Sequence, residues 1–266
     1  MTLAEPLSVI KIGGNVIDHS ENLYEFLKDF TELEGYKILV HGGGKAATKL
    51  SDDLGIEAKL IEGRRITGIE SLRVVTMVYA GLINKNLVAQ LQAHHCNAIG
   101  LSGADGNLIK AVKRPVKTVD YGFVGDLDEN SINFNQIQKL LEADFVPVFS
   151  AITHDGKGQL LNTNADTVAS AIAIVMAKLY ETRLIYCFEK KGVLADITDH
   201  TSVIPEINTE KYTALKAEGL INNGMIPKMD NAFSTLHHGV KEVIIGDAKD
   251  LKEVKKAGKF GTKLVL

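Results

Sequence analysis

The stretch Lys37-Ile-Leu-Val-His-Gly-Gly-Gly44 decides the fold class. Its first five residues have the composition of a short buried strand, and three glycines end it. Residues 45–54 then follow with the spacing of a helix, so a strand, a tight turn and a helix succeed one another without a linker. The start of the chain begins in the same way, with an apolar run at 7–12 followed by Gly13 and Gly14.

In the rest of the chain, short apolar runs alternate with longer segments whose apolar residues recur at the spacing of a helix. We predict strands at 7–12, 37–41, 98–102, 145–149, 183–188, 242–245 and within 260–266, and helices at 21–33, 45–54, 70–91, 135–141, 166–179, 209–218 and 225–238. Residues 108–128 read as strands and turns outside the alternation. This order indicates an α/β fold with a parallel sheet.

A polar, glycine-rich stretch at 153–161 is the nearest feature to a boundary. We expect it to separate an N-terminal lobe, residues 1–157, from a C-terminal lobe, residues 158–266, within one domain. A ligand would then lie in the cleft between the lobes, at the carboxyl ends of the parallel strands.

The composition excludes several classes of protein. The formal net charge of the 266 residues is −3 and the lysines are dispersed, which argues against a nucleic-acid partner. The first residues do not form a signal peptide, and no apolar run approaches the roughly 20 residues of a membrane span. The two cysteines, Cys96 and Cys187, are expected to be buried free thiols, which is consistent with a cytoplasmic location.

Four separated segments combine a backbone turn with a group that can bind phosphate: Lys11-Ile-Gly-Gly14, His41-Gly-Gly-Gly44, Asn162-Thr-Asn-Ala-Asp166 and Gly224-Met-Ile-Pro-Lys228. Each has a plain structural alternative, such as a strand-end turn with a solvated lysine or an asparagine that only caps a helix. Together they supply two lysines, two glycine turns and a carboxylate. That inventory favours phosphoryl transfer.

Two further patterns need separate interpretation. Gly44-Lys45 suggests a Walker-type loop, but the required earlier glycine and the following Ser or Thr are both missing, so a P-loop is excluded. Arg64 and Arg65 could bind a substrate carboxylate through a planar guanidinium, or could be two solvated surface side chains.

The motifs Lys-x-Gly-Gly, His-Gly-Gly-Gly, Arg65-Ile-Thr67, Asn-x-Asn-Ala-Asp and Gly-Met-x-x-Lys occur in one order over nearly the whole chain, which resembles the amino acid kinase family. Gly100-Leu-Ser-Gly-Ala-Asp-Gly106 and Gly122-Phe-Val-Gly-Asp126 resemble the members that phosphorylate N-acyl-L-glutamate. The resemblance implies a three-layer αβα sandwich of the carbamate kinase-like type, with an open, mainly parallel sheet of about eight strands. It also implies an acyl-amino acid in the N-terminal lobe and MgATP in the C-terminal lobe, as one step of arginine biosynthesis.

The same resemblance assigns roles to individual residues. Lys11 and Lys228 would stabilise the transferring phosphoryl group, and Asp166 would hold both lysines. The acyl-amino acid would contact Gly43, Gly44, Arg65 and Asn162. The nucleotide would contact Gly13, Gly14, Asn164, Glu189, Lys191, Gly192, Gly224 and Met225, with Mg²⁺ held through the ATP phosphates rather than by a protein metal site.

The sequence departs from the family pattern in two places. Family members usually carry Thr/Ser-Asp-Val-x-Gly-Val in the ATP lobe, where this chain has Phe188-Glu-Lys-Lys-Gly-Val193, with Glu189 in place of the aspartate. Arginine-inhibited members carry an extra N-terminal helix that links dimers, and no such segment precedes the first strand. We therefore expect an arginine-insensitive homodimer, with a stripe of Val74, Val78 and Leu82 as its contact or, alternatively, as part of the core.

Two other functions stay open at this point. A sister kinase would act on another carboxylate or carbamate, and a nucleotide-binding regulator would have lost catalysis. Intact Lys11, Asp166 and Lys228 argue against the regulator. The acyl group, whether acetyl, succinyl or another, is not fixed by these motifs.

Overall fold

A single sheet of eight strands forms the middle layer of the protein. The computed structural model describes residues 5–61, 64–196, 198–199, 201–221, 225–255 and 260–266. In chain order the strands are β1 (Pro6–Ile12), β2 (Tyr36–His41), β3 (Leu60–Ile61), β4 (Arg64–Arg65), β5 (Ala98–Leu101), β6 (Val112–Lys113), β7 (Gly125–Asp126), β8 (Val146–Ser150), β9 (Ile152–His154), β10 (Leu160–Asn162), β11 (Glu181–Phe188), β12 (Glu206–Ile207), β13 (Glu242–Asp247) and β14 (Thr262–Leu264).

The order of strands in the large sheet is β12-β14-β13-β11-β1-β2-β8-β5. Every pair in it is parallel except β13 with β14. Strand β1 lies in the centre, and its register places Lys11 beside Tyr186 of β11 and Val40 of β2. The carboxyl ends of β1 and β2 therefore lie side by side, and both continue into glycine turns.

Helices cover both faces of the sheet, because the strands bury apolar side chains on each side. The α-helices are α1 (Gly14–Ile17), α2 (Ser20–Thr31), α3 (Gly44–Asp53), α4 (Ile69–Thr76), α5 (Asn84–Ala93), α6 (Phe134–Glu142), α7 (Ala165–Met176), α8 (Thr209–Ala217) and α9 (Ile226–His237). Helices α6, α7, α8 and α9 share one apolar core, and α2, α3, α4 and α5 share the other. The predicted three-layer αβα sandwich with a mainly parallel eight-stranded sheet is confirmed.

Among the described residues, three small antiparallel pairs of strands, β3–β4, β6–β7 and β9–β10, lie outside the large sheet. Single bridges join them to each other and to the site region, pairing Val124 with Asn162 and Thr67 with Gly122. The hairpin β9–β10 occupies most of the stretch predicted as a lobe boundary. The division at residue 157 stays a prediction.

The long helix predicted at 70–91 contains a segment with a wider turn. A π-helix, Met77–Ile83, lies between α4 and α5. Because a π-helix has more residues per turn, the predicted stripe of one residue in four does not persist through it. Val74 and Val78 are buried in the core of the chain, whereas Leu82 is 59% exposed.

Cys96 and Cys187 are buried and free, as predicted. Within the described ranges, no helix combines the length and the apolar character needed to span a bilayer.

Candidate active site

Two cavities meet at the carboxyl ends of β1 and β2. The smaller has a volume of about 230 Å³ and the larger about 610 Å³. Both are lined by Lys11, Gly13, Gly14 and Gly44, so the strand-end turns form the junction between them. Ligands in the two cavities would meet at this junction.

An ion pair stands at the junction. Lys11 Nζ lies 2.8 Å from Asp166 Oδ1, and both side chains are largely buried. Asp166 occupies the first turn of α7, where the helix dipole favours a carboxylate. The distance of 2.8 Å is that of a close, charge-assisted contact between an ammonium and a carboxylate. The structure thus brings together two of the three predicted catalytic residues, 155 positions apart in sequence.

Lys228 reaches the same junction from the first turn of α9 and lines the larger cavity. Burial lowers the pKa of its ammonium; the Asp166 carboxylate opposes this shift and Lys11 adds to it. Because both charges affect Lys228, the three predicted catalytic residues form one electrostatic group. A polyanion entering here would meet two ammonium groups and one carboxylate.

A set of polar side chains lies beneath this group; we call it the hydroxyl cluster and define it as Ser170 and Tyr186, which are buried, and Asn231, which is half-buried. Asn231 Nδ2 donates to Ser170 Oγ at 2.6 Å and to Tyr186 Oη at 3.0 Å, and the two hydroxyls are 2.8 Å apart. Ser170 Oγ also donates to the backbone carbonyl of Asp166 at 3.0 Å. The cluster therefore connects α7, which carries Asp166, to α9, which carries Lys228.

The cluster is neutral. Complete burial is the main reason that the pKa of Tyr186 is raised far above its ordinary value, and the Asp166 carboxylate adds to the effect. The phenol therefore keeps its proton and remains a hydrogen-bond donor at every pH at which the protein works.

The glycine turn after β2 is held by a second buried pair. His41 Nδ1 lies 2.8 Å from the carbonyl oxygen of Gly42, which can only accept, so this nitrogen carries the proton. His41 Nε2 then accepts from Asn84 Nδ2 at 3.1 Å, and Asn84 Nδ2 also donates to the carbonyl of Val148 at 2.9 Å. Burial lowers the pKa of His41 to about 4, so the imidazole is neutral.

The glycines of the two turns have different structural roles. A Cβ at Gly43 would lie 2.3 Å from Ile83 Cδ1 and about 3.0 Å from the ring of Tyr79, so the π-helix presses against this residue. A Cβ at Gly13 or Gly44 would meet no heavy atom within 4 Å. At those two positions the missing side chain leaves cavity space open and exposes backbone N–H groups, including those at the start of α3, to an anion.

Arg65 is, with Lys11, a buried cation of the smaller cavity and is 7% exposed. Its Nη2 donates to the carbonyl of Gly44 at 3.0 Å and to Thr48 Oγ1 at 2.6 Å. Its Nη1 is buried and has no hydrogen-bond partner within the described residues. A buried guanidinium nitrogen without a partner is costly, so the geometry fits a ligand carboxylate that accepts from it. Arg64 also lines the cavity but is exposed.

The two asparagines of the Asn-x-Asn motif have different partners. Asn162 Nδ2 donates to Thr67 Oγ1 at 3.0 Å, and this joins the β10 end to the Arg-x-Thr motif. Asn164 caps α7 by accepting from the backbone N–H of Thr167 at 3.0 Å. Both line the smaller cavity, although Asn164 was predicted to contact the nucleotide.

The remaining residues predicted to bind nucleotide lie around the larger cavity, with two qualifications. Glu189, Gly192 and Met225 line it. Lys191 is not among its lining residues, and the adjacent Lys190 is. Gly224 lies outside the described residues.

Several lining residues have no role in the sequence motifs, and three of them carry a ring or a charge. Arg114 and Tyr79 line the smaller cavity, and Phe188 lines the larger one. Arg114 Nε donates to Asp126 Oδ1 at 2.9 Å, and its guanidinium lies over the ring of Tyr121. The motif-like stretch that ends at Asp126 was a signal for this region, but nothing in it pointed to Arg114.

A magnesium ion would have few protein ligands here. Among the described residues, no three His, Cys, Asp or Glu side chains converge as a metal site. Mg²⁺ commonly keeps several waters and binds through substrate phosphates and one or two carboxylates. Of the residues at the junction, Asp166 could supply one carboxylate ligand, while Lys11 and Lys228 would bind the phosphates that carry the ion.

Comparisons with known proteins agree with this architecture. The sequence pattern of the amino acid kinase family matches residues 6–247. The chain is 53% identical over 251 residues to the acetylglutamate kinase of Phocaeicola vulgatus, covering 94% of this chain and 97% of that protein. It is also 53% identical over 263 residues to the acetylglutamate kinase of Cytophaga hutchinsonii, covering 98% and 99%. The fold is similar to that of the carbamate kinase of Giardia lamblia, with a TM-score of 0.70 at 14% identity over 100% of this chain and 99% of that one.

Proposed function

Because this chain belongs to the amino acid kinase family, we propose that it transfers the γ-phosphoryl group of ATP to the side-chain carboxylate of N-acetyl-L-glutamate, or of another N-acyl-L-glutamate. The observation that carries the proposal is the pair of cavities that share Lys11, Gly13, Gly14 and Gly44. The similarity to acetylglutamate kinases over nearly the full length of both chains supplies the acceptor and the place of the reaction in arginine biosynthesis.

The acyl-amino acid occupies the smaller cavity in this proposal. The Arg65 guanidinium receives its α-carboxylate, while Gly43, Gly44 and Asn162 contact the rest of the molecule. The side-chain carboxylate then points to the junction. Arg114 stands on the same wall and contributes to the choice of acyl group.

ATP occupies the larger cavity with its phosphates at the junction. The N–H groups of Gly13, Gly14 and Gly44 and the ammonium groups of Lys11 and Lys228 surround the phosphates, and Gly192, Glu189 and Met225 line the rest of the cavity. Mg²⁺, when bound to the phosphates, neutralises part of their charge. We also propose that Lys191, Asn164 and Gly224 contact the nucleotide. The N-terminal lobe is residues 1–157 and the C-terminal lobe is residues 158–266 in this proposal.

The reaction needs little covalent help from the protein. An oxygen of the acceptor carboxylate forms a bond to the γ-phosphorus, the bond between that phosphorus and the β,γ-bridging oxygen breaks, and ADP leaves with the electron pair. The acceptor is already ionised, so no proton has to be removed and no general base is required. The protein supplies alignment of two anions and positive charge where negative charge is transferred.

Assembly and location are also part of the proposal. We assign the chain to the cytoplasm as a homodimer. Of the predicted dimer contact, Val74 and Val78 are buried within the chain and only Leu82, 59% exposed, is available. Met77, 53% exposed on the same π-helix, joins it as the proposed apolar contact with the second subunit.

The decisive experiment measures ADP release with MgATP and a panel of N-acetyl-, N-succinyl- and free L-glutamate and L-aspartate, with hydroxylamine to trap the acyl phosphate. Turnover on an N-acyl-L-glutamate is expected. Lys228→Ala should abolish it with an unchanged circular dichroism spectrum, whereas Lys211→Ala, at an exposed site on α8, should not. Turnover on a free amino acid only, or a fully active Lys228→Ala variant, would refute the proposal.

A further inference from the structure

We propose that the ring of Phe188 is an aromatic floor that holds the ammonium groups of Lys11 and Lys228 at the junction of the two cavities. Lys228 Nζ lies 4.0 Å from the ring centroid, and Lys11 Nζ lies 5.2 Å from it. Both distances are within the roughly 6 Å over which a cation is attracted to an aromatic face. One ring thus contacts both lysines of the site.

The ring is held in place from below. Phe188 is the last residue of β11, and Tyr186, two residues earlier, points to the same face of the sheet. The two rings are stacked, with centroids 6.1 Å apart and planes inclined by 15°. Tyr186 is in turn fixed by its hydrogen bonds to Ser170 and Asn231, the other members of the hydroxyl cluster. The floor is therefore connected to the same hydrogen bonds that join α7 to α9.

The charges at the junction explain why an aromatic ring suits this position. Asp166 is paired with Lys11, and Lys228 stands in the first turn of α9, where a cation is unfavourable. An acid at position 188 would neutralise the lysines and compete with incoming phosphates. The negative face of a ring attracts both cations without adding a full charge, so the site keeps its affinity for anions.

The floor is compatible with a bound nucleotide, and here the inference rests on the proposed function. An ammonium group has three N–H donors, and contact with a ring face occupies only one side of it. The other side of each lysine stays open to the larger cavity, which both lysines line. Phosphate oxygens can therefore bind while the ring still restrains the two side chains.

Fluorination of the ring provides the test, because it weakens the negative face with little change in shape. Phe188 is replaced by 4-fluoro-, 3,5-difluoro- and 3,4,5-trifluorophenylalanine, and the affinity for Mg²⁺ with a non-hydrolysable ATP analogue is measured by calorimetry without acceptor. We expect affinity to fall stepwise, to about tenfold weaker for trifluorophenylalanine, which corresponds to about 1.4 kcal/mol. The kcat should fall in the same order.

The matched control is Phe30, whose ring lies 5.8 Å from Lys37 Nζ and which lines neither cavity. The same fluorinated residues at position 30 should leave nucleotide affinity unchanged. Equal affinity across the Phe188 series would overturn the inference, as would tighter binding on fluorination, because that result would mean that the ring competes with phosphate.

A second measurement needs neither nucleotide nor acceptor. The Cε protons of a lysine held over a ring face resonate upfield, so NMR should show such a shift for Lys228 that Phe188→Leu removes and Phe188→Tyr retains. If the wild-type protein phosphorylates no N-acyl-L-glutamate, the proposed function fails, yet this shift still decides whether the floor exists. Its absence in the wild-type protein would refute the floor alone.

Discussion

Replacing Tyr186 by phenylalanine should slow phosphoryl transfer more than it weakens substrate binding. The substitution removes one hydroxyl from the hydroxyl cluster and leaves the ring that supports Phe188. Tyr186 Oη accepts from Asn231 Nδ2 at 3.0 Å and lies 2.8 Å from Ser170 Oγ. Without it, the Asn231 amide loses one of its two hydroxyl acceptors at a half-buried position.

The size of the effect follows from these contacts. Leaving a buried donor unsatisfied costs about 1–3 kcal/mol, which in a protein of this size corresponds to a fall in Tm of roughly 2–10 °C. The catalytic effect comes from geometry, because the cluster fixes α9 against α7 and thus Lys228 against Asp166. A displacement of about 1 Å in an aligned site can cost about 100-fold in rate, so we expect kcat to fall by roughly 10- to 100-fold. The KM for ATP should change much less.

The assay is steady-state kinetics beside thermal unfolding, for Tyr186→Phe, Asn231→Leu and the double variant. The two residues act on one contact, so the double variant should lose little more kcat than either single variant. Tyr180→Phe is the control, since Tyr180 is also buried and immediately precedes β11. It packs edge-on against Tyr36, away from the cavities. If Tyr186→Phe lowers Tm but leaves kcat at the wild-type value, the cluster is only structural and the reasoning is wrong.

Three shorter predictions test other parts of the site. Gly43→Ala should destabilise the protein by about 1–3 kcal/mol in urea unfolding, because its Cβ would collide with Ile83, whereas Gly13→Ala should keep the stability and weaken nucleotide binding. Arg65→Lys should raise the KM for the acyl-amino acid by roughly 10- to 100-fold, since lysine cannot reproduce the fork that contacts Gly44, Thr48 and a carboxylate, while Arg64→Lys should have little effect on KM. The pKa of His41 is depressed to about 4 from an ordinary value near 6.5, so the stability it contributes is complete above pH 6.5 and falls as the pH drops towards 4. The free energy of unfolding, measured with urea, should be lower at pH 5.0 than at pH 7.5, and the loss should reach about 3 kcal/mol by pH 4. The variant His41→Asn should show a smaller dependence of this free energy on pH.

Most of the fold could be predicted because local patterns and tertiary structure agree in it. Each strand of the large sheet that was predicted as an apolar run is present, with shifts of one or two residues at its ends. The helix predicted at 70–91 differs from the structure in its middle. Residues 70–91 have the period of a regular helix, but the π-helix at Met77–Ile83 places Tyr79 and Ile83 against Gly43. The π-helix packs against a glycine about 40 residues away in sequence, and the local pattern of residues 70–91 does not encode that contact.

In the site too, some residues could be predicted from local patterns, and others are placed only by tertiary contacts. Lys11 and Asp166 could be paired from motifs, since a lysine at a strand end and an acid at a helix start are recognisable types, and the two are 2.8 Å apart. Arg114 could not be found, because it directly follows β6, a strand of a hairpin outside the alternation, and its place beside the cavity depends on how the hairpins pair. Phe188 was considered only as the neighbour of Glu189. Period-two alternation indicates which face of a strand is buried, but not which cations a ring at its end will meet.

The charge at the junction links these observations. A site for ATP and an acyl-glutamate must attract two anions, so its cations cannot all be neutralised by acids, yet cations that repel one another would move apart in the empty protein. Asp166 neutralises one lysine. Lys228 is held by neutral groups: the ring of Phe188, which stacks on Tyr186, and the hydroxyl cluster, which fixes α9. The residues that keep this site positive but ordered are therefore the neutral side chains Ser170, Tyr186, Phe188 and Asn231, and none of them belongs to the five motifs that indicated the family.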